Sequence, residues 1–93
     1  MTTETGYRHI VRDPEILSGE PIVRGSRVPV RAIVETWRMG VAVEEIQTHF
    51  PHLSLGQIFD ALGYFSDHQE EILEHIERNR IPAESVHPAL RGK

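Results

Sequence analysis

Ninety-three residues suffice for one domain, near the lower size at which a single hydrophobic core holds without staples. The absence of cysteine excludes disulfides, thiolate nucleophiles and Cys-based zinc sites, and it fits a reducing compartment. A formal net charge of −4 argues against tight non-specific binding to nucleic acid, which rests on neutralising phosphates with Lys and Arg.

The charge is unevenly spread: six arginines face five acids in residues 1–40, and four bases face nine acids in residues 41–93. The first residues, MTTETGYRHIVRDP, show neither the charged start nor the apolar run of a secretory signal. No stretch approaches the length of a membrane span, so no membrane association and a cytoplasmic location are expected.

Residues 1–7 are expected to be flexible, and two short β pieces follow, His9 to Val11 and Pro21 to Val23. Between them Asp13 caps and Pro14 opens one helical turn, which Ser18 and Gly19 release. Two such strands are marginal alone and must pack on helices or on a second subunit.

Pro29 opens a first helix whose apolar positions Val30, Ile33, Val34 and Trp37 fall at i, i+3, i+4 and i+7, and Gly40 ends it. Trp37 is expected in the core or at a dimer seam. A second helix, Val43 to His49, buries Val43 and Ile46 and stops before Pro51. Ser54 and Gln57 form a capping box for a third helix with an apolar face of Leu55, Ile58, Phe59, Leu62 and Phe65. Its outward residues are then Gly56, Gln57, Asp60, Gly63 and Tyr64.

A second capping signature, Ser66 to Gln69, introduces a fourth helix with Ile72, Leu73 and Ile76 on one side and Glu70, Glu74 and Glu77 on the other. From Arg80 the sequence RIPAESVHPALRGK has two prolines and no periodicity, so residues 80–93 are expected to be a flexible tail. The domain proper spans residues 8–79.

These elements predict a mostly α fold: a trihelical, homeodomain-like helix-turn-helix core with an amino-terminal β-hairpin and a fourth helix. Such a core serves proteins that bind DNA and proteins that do not. In the third helix Gln57 could read an adenine and Tyr64 could bond a phosphate, yet the helix has no Lys or Arg to neutralise the backbone.

Cations for DNA must therefore come from EPIVRGSRVPV, residues 20–30, where Arg24 and Arg27 bracket Gly25 and Arg31 follows. Two readings stand open. Either the segment is a structural bend with solvated arginines, or it presents guanidinium forks to phosphates, paired across a dimer.

IVRDPEILSGEPIVRGSRVPV, then PHLSLGQIFDAL and YFSDHQEEI, closely resemble the small bacterial domain-of-unknown-function family 433, over about residues 8–77. The resemblance implies a helix-turn-helix core with an amino-terminal β element, and a role as antitoxin beside a PIN-like ribonuclease toxin. It brings no catalytic residues. Gly19, Pro21, Arg24, Gly25, Arg27 and Pro29 match the family's elbow, whereas Ala42 stands where the family has a capping Ser and Gly56 where it has an acid.

Such a toxin would hold magnesium in clustered carboxylates, which a guanidinium can engage by charge pairing; Arg78, Arg80 and Arg91 are the candidates. The alternatives are a regulator acting through operator DNA alone and a protein-interaction module without DNA.

An enzyme is not expected, and neither is a metal or other cofactor. His49 and His52 have HxxH spacing, but Pro51 breaks the helix between them and no further ligand completes a set. Asp60 and Asp67 lie one heptad apart on one side of the third helix, without an acid–base or nucleophilic partner.

Overall fold

Short apolar runs at the amino terminus pair into a sheet that closes one side of a helical core. In the computed structural model, which describes residues 1–80, β1 (Thr3–Glu4), β2 (Ile10–Arg12) and β3 (Ile22–Val23) form an antiparallel sheet in that order. Ile10 pairs with Val23 and Val11 with Ile22, as the expected hairpin requires. Within residues 1–7 a further strand joins the hairpin: Thr3 pairs with Arg12 and Glu4 with Val11. A two-residue strand has too little pattern to be recognised by alternation.

The link between β2 and β3 also differs in detail from the expected helical turn. Asp13 Oδ1 accepts from the Glu15 N–H, and a short 3₁₀ turn occupies Leu17–Gly19. Leu17 and Ser18 there have φ of 51° and 56°, a conformation that costs side-chain-bearing residues about 1–2 kcal/mol each.

Four helices follow: α1 (Val30–Arg38), α2 (Val43–His49), α3 (Leu55–Asp67) and α4 (Gln69–Asn79). Gly40, at φ 92°, closes the end of α1 with its N–H on the Trp37 carbonyl at 2.9 Å. The Ser54–Gln57 capping box forms as predicted. The second capping signature does not: Ser66 lies inside α3, and the chain breaks at His68 (φ −136°, ψ 48°), which precedes α4 without a side-chain cap.

The core joins Ile10 and Val23 of the sheet to Val30, Ile33 and Val34 of α1, Ile46 of α2, Ile58 and Ala61 of α3, and Ile72 and Ile76 of α4. Each of the Ile and Val side chains contributes roughly 1.5–3 kcal/mol when fully buried. With α1 packed against α3 and α4, and α2 against α3, the arrangement is the mostly α helix-turn-helix fold with an amino-terminal sheet. Val43 is only partly buried, and Trp37 is not in the core: 43% of it is exposed, beside Phe65. No helix among the described residues is long and apolar enough to cross a membrane.

Candidate functional site

The elbow between β3 and α1 is a hydrogen-bonded loop. Ser26 N–H donates to the Val23 carbonyl at 3.0 Å, Val23 N–H to the Val28 carbonyl at 2.9 Å, and Val30 N–H to the Pro21 carbonyl at 3.0 Å. Gly25 takes φ 81° with open space around it, so backbone conformation rather than crowding accounts for glycine there.

Two of the three elbow arginines are bound within the domain. Arg24 forms a fork on Glu4, at 3.0 and 2.5 Å, and donates Nε to the Arg8 carbonyl at 3.0 Å. The guanidinium holds the Glu4 carboxyl below its usual range. Arg31 donates to the buried Glu20 at 2.7 Å and approaches Glu35 at 3.9 Å. Arg27 is exposed and has no ion-pair partner among the described residues.

Helix α3 presents two unlike flanks. Asp60, Tyr64 and Asp67, spaced i, i+4 and i+7, form a polar flank turned to the sheet. Asp60 Oδ2 accepts the His9 backbone N–H at 2.8 Å, and Asp67 accepts the Tyr7 hydroxyl.

Tyr64, expected on the outer face, is 1% exposed, which removes it from the candidates for a phosphate contact. Its hydroxyl accepts from Arg12 at 2.6 Å and donates to Glu71 at 2.8 Å, while Arg12 also reaches Glu71 at 2.6 Å. Burial and the bond to Glu71 push the Tyr64 phenol up to about 12. For Glu71, burial acts in the opposite direction to its hydrogen bonds from Tyr64 and Arg12; the bonds win and its pKa is lowered.

The other flank of α3 is apolar and open. Phe59 is 52% exposed, and Leu62, Phe65 and Ser66 border a cavity of about 310 Å³ completed by Trp37 and Gln69. Gln57, a candidate base reader, uses its carbonyl oxygen to accept the Ser54 N–H at 2.6 Å.

Arg78 and Arg80 stand exposed at the end of α4, paired with Glu74 at 3.3 Å and Glu77 at 3.4 Å. Arg91 lies outside the described residues, as does most of the expected tail. No group of three or more His, Asp or Glu able to hold a metal occurs among the described residues. The structure thus does not gather Arg24, Arg27, Arg31, Gln57 and Tyr64 into one surface group; it draws in Arg12, Glu71, Glu4 and Glu20, which sequence reasoning left without a role. The heptad spacing of Asp60 and Asp67 was the available signal, since a polar stripe at helical spacing marks a face with a partner.

Fold and site together define a small helix-turn-helix domain whose conspicuous polar groups serve its own architecture. A family model described as "Protein of unknown function (DUF433)" matches residues 10–65, and the chain belongs to that family. A crystal structure of a DUF433 member protein from Anabaena variabilis ATCC 29413 is similar at 25% identity and a TM-score of 0.69, covering 74% of this chain and 68% of that one. No curated protein matches the chain.

Proposed function

We propose that this chain is the antitoxin half of a toxin–antitoxin pair: a non-catalytic, cytoplasmic homodimer that neutralises a PIN-like ribonuclease by binding it. One observation carries the choice of protein over DNA. Helix α3, which a helix-turn-helix protein would lay in a groove, has no Lys or Arg, bonds its polar flank to its own sheet, and turns a phenylalanine outward.

The toxin contact lies at the carboxyl-terminal end. Arg78 and Arg80 are long, exposed cations on a helix end, and their acidic partners are surface pairs that a clustered carboxylate site can outcompete. Operator binding would rest on Arg27 and on an Arg24 released from Glu4, so we expect it to be weak and lost in moderate salt.

The test is to mix the full chain with a PIN-like ribonuclease encoded beside it and follow RNA cleavage. Stoichiometric inhibition, weakened about tenfold or more by Arg78→Ala with Arg80→Ala, is expected. A ribonuclease that neither binds the chain nor slows would sink the reading. A parallel titration with promoter DNA at two salt concentrations should give at most a weak complex that moderate salt removes; a tight, salt-resistant complex abolished by Arg24→Ala with Arg27→Ala would favour a DNA-binding regulator.

A further inference from the structure

The apolar flank of α3 continues onto its neighbours. Phe59 and Leu62 lie one turn apart on α3; Leu62 and Phe65 meet Trp37 of α1 around the cavity; Gln69 of α4 completes it. Leu73 follows Gln69 by four residues on the same side of α4. Trp37, Phe59 and Leu73 are 43%, 52% and 37% exposed, so α1, α3 and α4 each carry a large apolar side chain that the described residues leave open. Single exposed apolar residues are ordinary, but a contiguous patch marks an interaction surface.

We propose that this face is where two copies of the chain associate, α1, α3 and α4 of one against the same elements of the other. The inference rests on the homodimer reading and names its surface.

Area is the first argument. Aromatic side chains bury 150–250 Å², so Trp37 and Phe59 each leave on the order of 100 Å² open, and the whole patch offers roughly 300–400 Å². A homodimer interface of about 800 Å² per partner that is about 65% apolar needs roughly 500 Å² of such surface. The patch supplies most of that requirement.

Charge is the second argument. The residues following Trp37 and Gln69 are Arg38 and Glu70, both exposed and neither ion-paired among the described residues. An isologous interface presents one patch twice, so each copy brings one cation and one anion for its partner's opposite charge.

Trp37 is the only tryptophan, so its emission reports on this face alone. The experiment follows sedimentation and Trp37 emission of the full chain over a dilution series, beside Phe59→Glu and Leu73→Glu. The expected result is a dimer that dissociates on dilution as Trp37 emission shifts to the red. Each variant should raise the dissociation constant about tenfold or more with an unchanged circular dichroism spectrum.

A dimer that both variants leave intact would overturn the face while sparing the homodimer reading. A wild-type chain that stays monomeric would overturn both. In that case Trp37 shielded from acrylamide would mean that another segment of the same chain covers the face, and Trp37 open to it would mean that the face is bare in solution.

Discussion

The two flanks of α3 differ in what they do with the same helix. On one, Asp60, Tyr64 and Asp67 are each bonded to a group from β2, its approach or α4, which fixes the sheet against the helices. On the other, Phe59 and Leu62 lie along an open apolar rim with Trp37 nearby. The polar flank, which would look functional in sequence, is architectural. The apolar flank, which would look like core, faces outward. In a helix-turn-helix protein this inversion turns the third helix from a reader of bases into a structural beam with a sticky side.

The sharpest way to break the contrast is to remove the centre of the polar flank. Tyr64→Ala takes away a fully buried ring and leaves Arg12 and Glu71 without their shared partner. A loss of about 3–5 kcal/mol is expected in chemical denaturation, enough to unfold much of a domain this small. Asp60→Ala should cost less, about 1–3 kcal/mol, because it leaves only the His9 N–H unsatisfied. If either variant were as stable as the parent, the polar flank would not be the tie between sheet and helices.

The same network sets the pH dependence. Glu71 has a folded pKa below its ordinary value of 4.5, so its contribution is present above that value and is lost as pH falls through the lower, folded one. Tyr64 has its pKa raised from 10.0 to about 12, so its contribution is complete below pH 10 and is lost as pH rises towards 12. Melting temperatures should therefore form a plateau that falls at both ends. Glu71→Gln should flatten the acid side and Tyr64→Phe the alkaline side; unchanged slopes in both variants would remove the network from the cause.

Much of the fold was readable in the sequence, because long elements carry periodic patterns and punctuation. The capping box at Ser54, the stop at Gly40 and the break at Pro51 place α1 to α3 almost to the residue. The elbow at Gly25 was equally visible as a bend. What escaped was set by tertiary contact. Glu4 and Arg24 are twenty residues apart and Arg12 and Tyr64 fifty-two, and no local rule brings such partners together.

The assignment of faces on α3 failed for a related reason. Tyr64 and Phe59 are both aromatic and amphipathic placement alone cannot rank them, but only the tyrosine has a hydroxyl able to join Arg12 to Glu71. Tyr64 is buried in line with Ile58 and Ala61, with its hydroxyl satisfied by Arg12 and Glu71, whereas Trp37, edge-on to Phe65, borders the cavity.

The smallest expected effect on stability isolates the apolar flank. Phe59→Ser removes a side chain that is half exposed and lies outside the buried core, so the loss in unfolding free energy should stay at about 1 kcal/mol, about half of what a fully buried side chain contributes. Serine has a slightly lower helix propensity than the best formers, but phenylalanine ranks close to it, so the backbone preference hardly changes. A core role for Phe59 predicts instead a loss of several kcal/mol, as for any buried aromatic cut to a small residue. The two outcomes are far apart on a denaturation curve. A stable Phe59→Ser protein would mean that this ring is retained for what it meets outside the domain, while the tyrosine five residues on is retained for what it holds together inside.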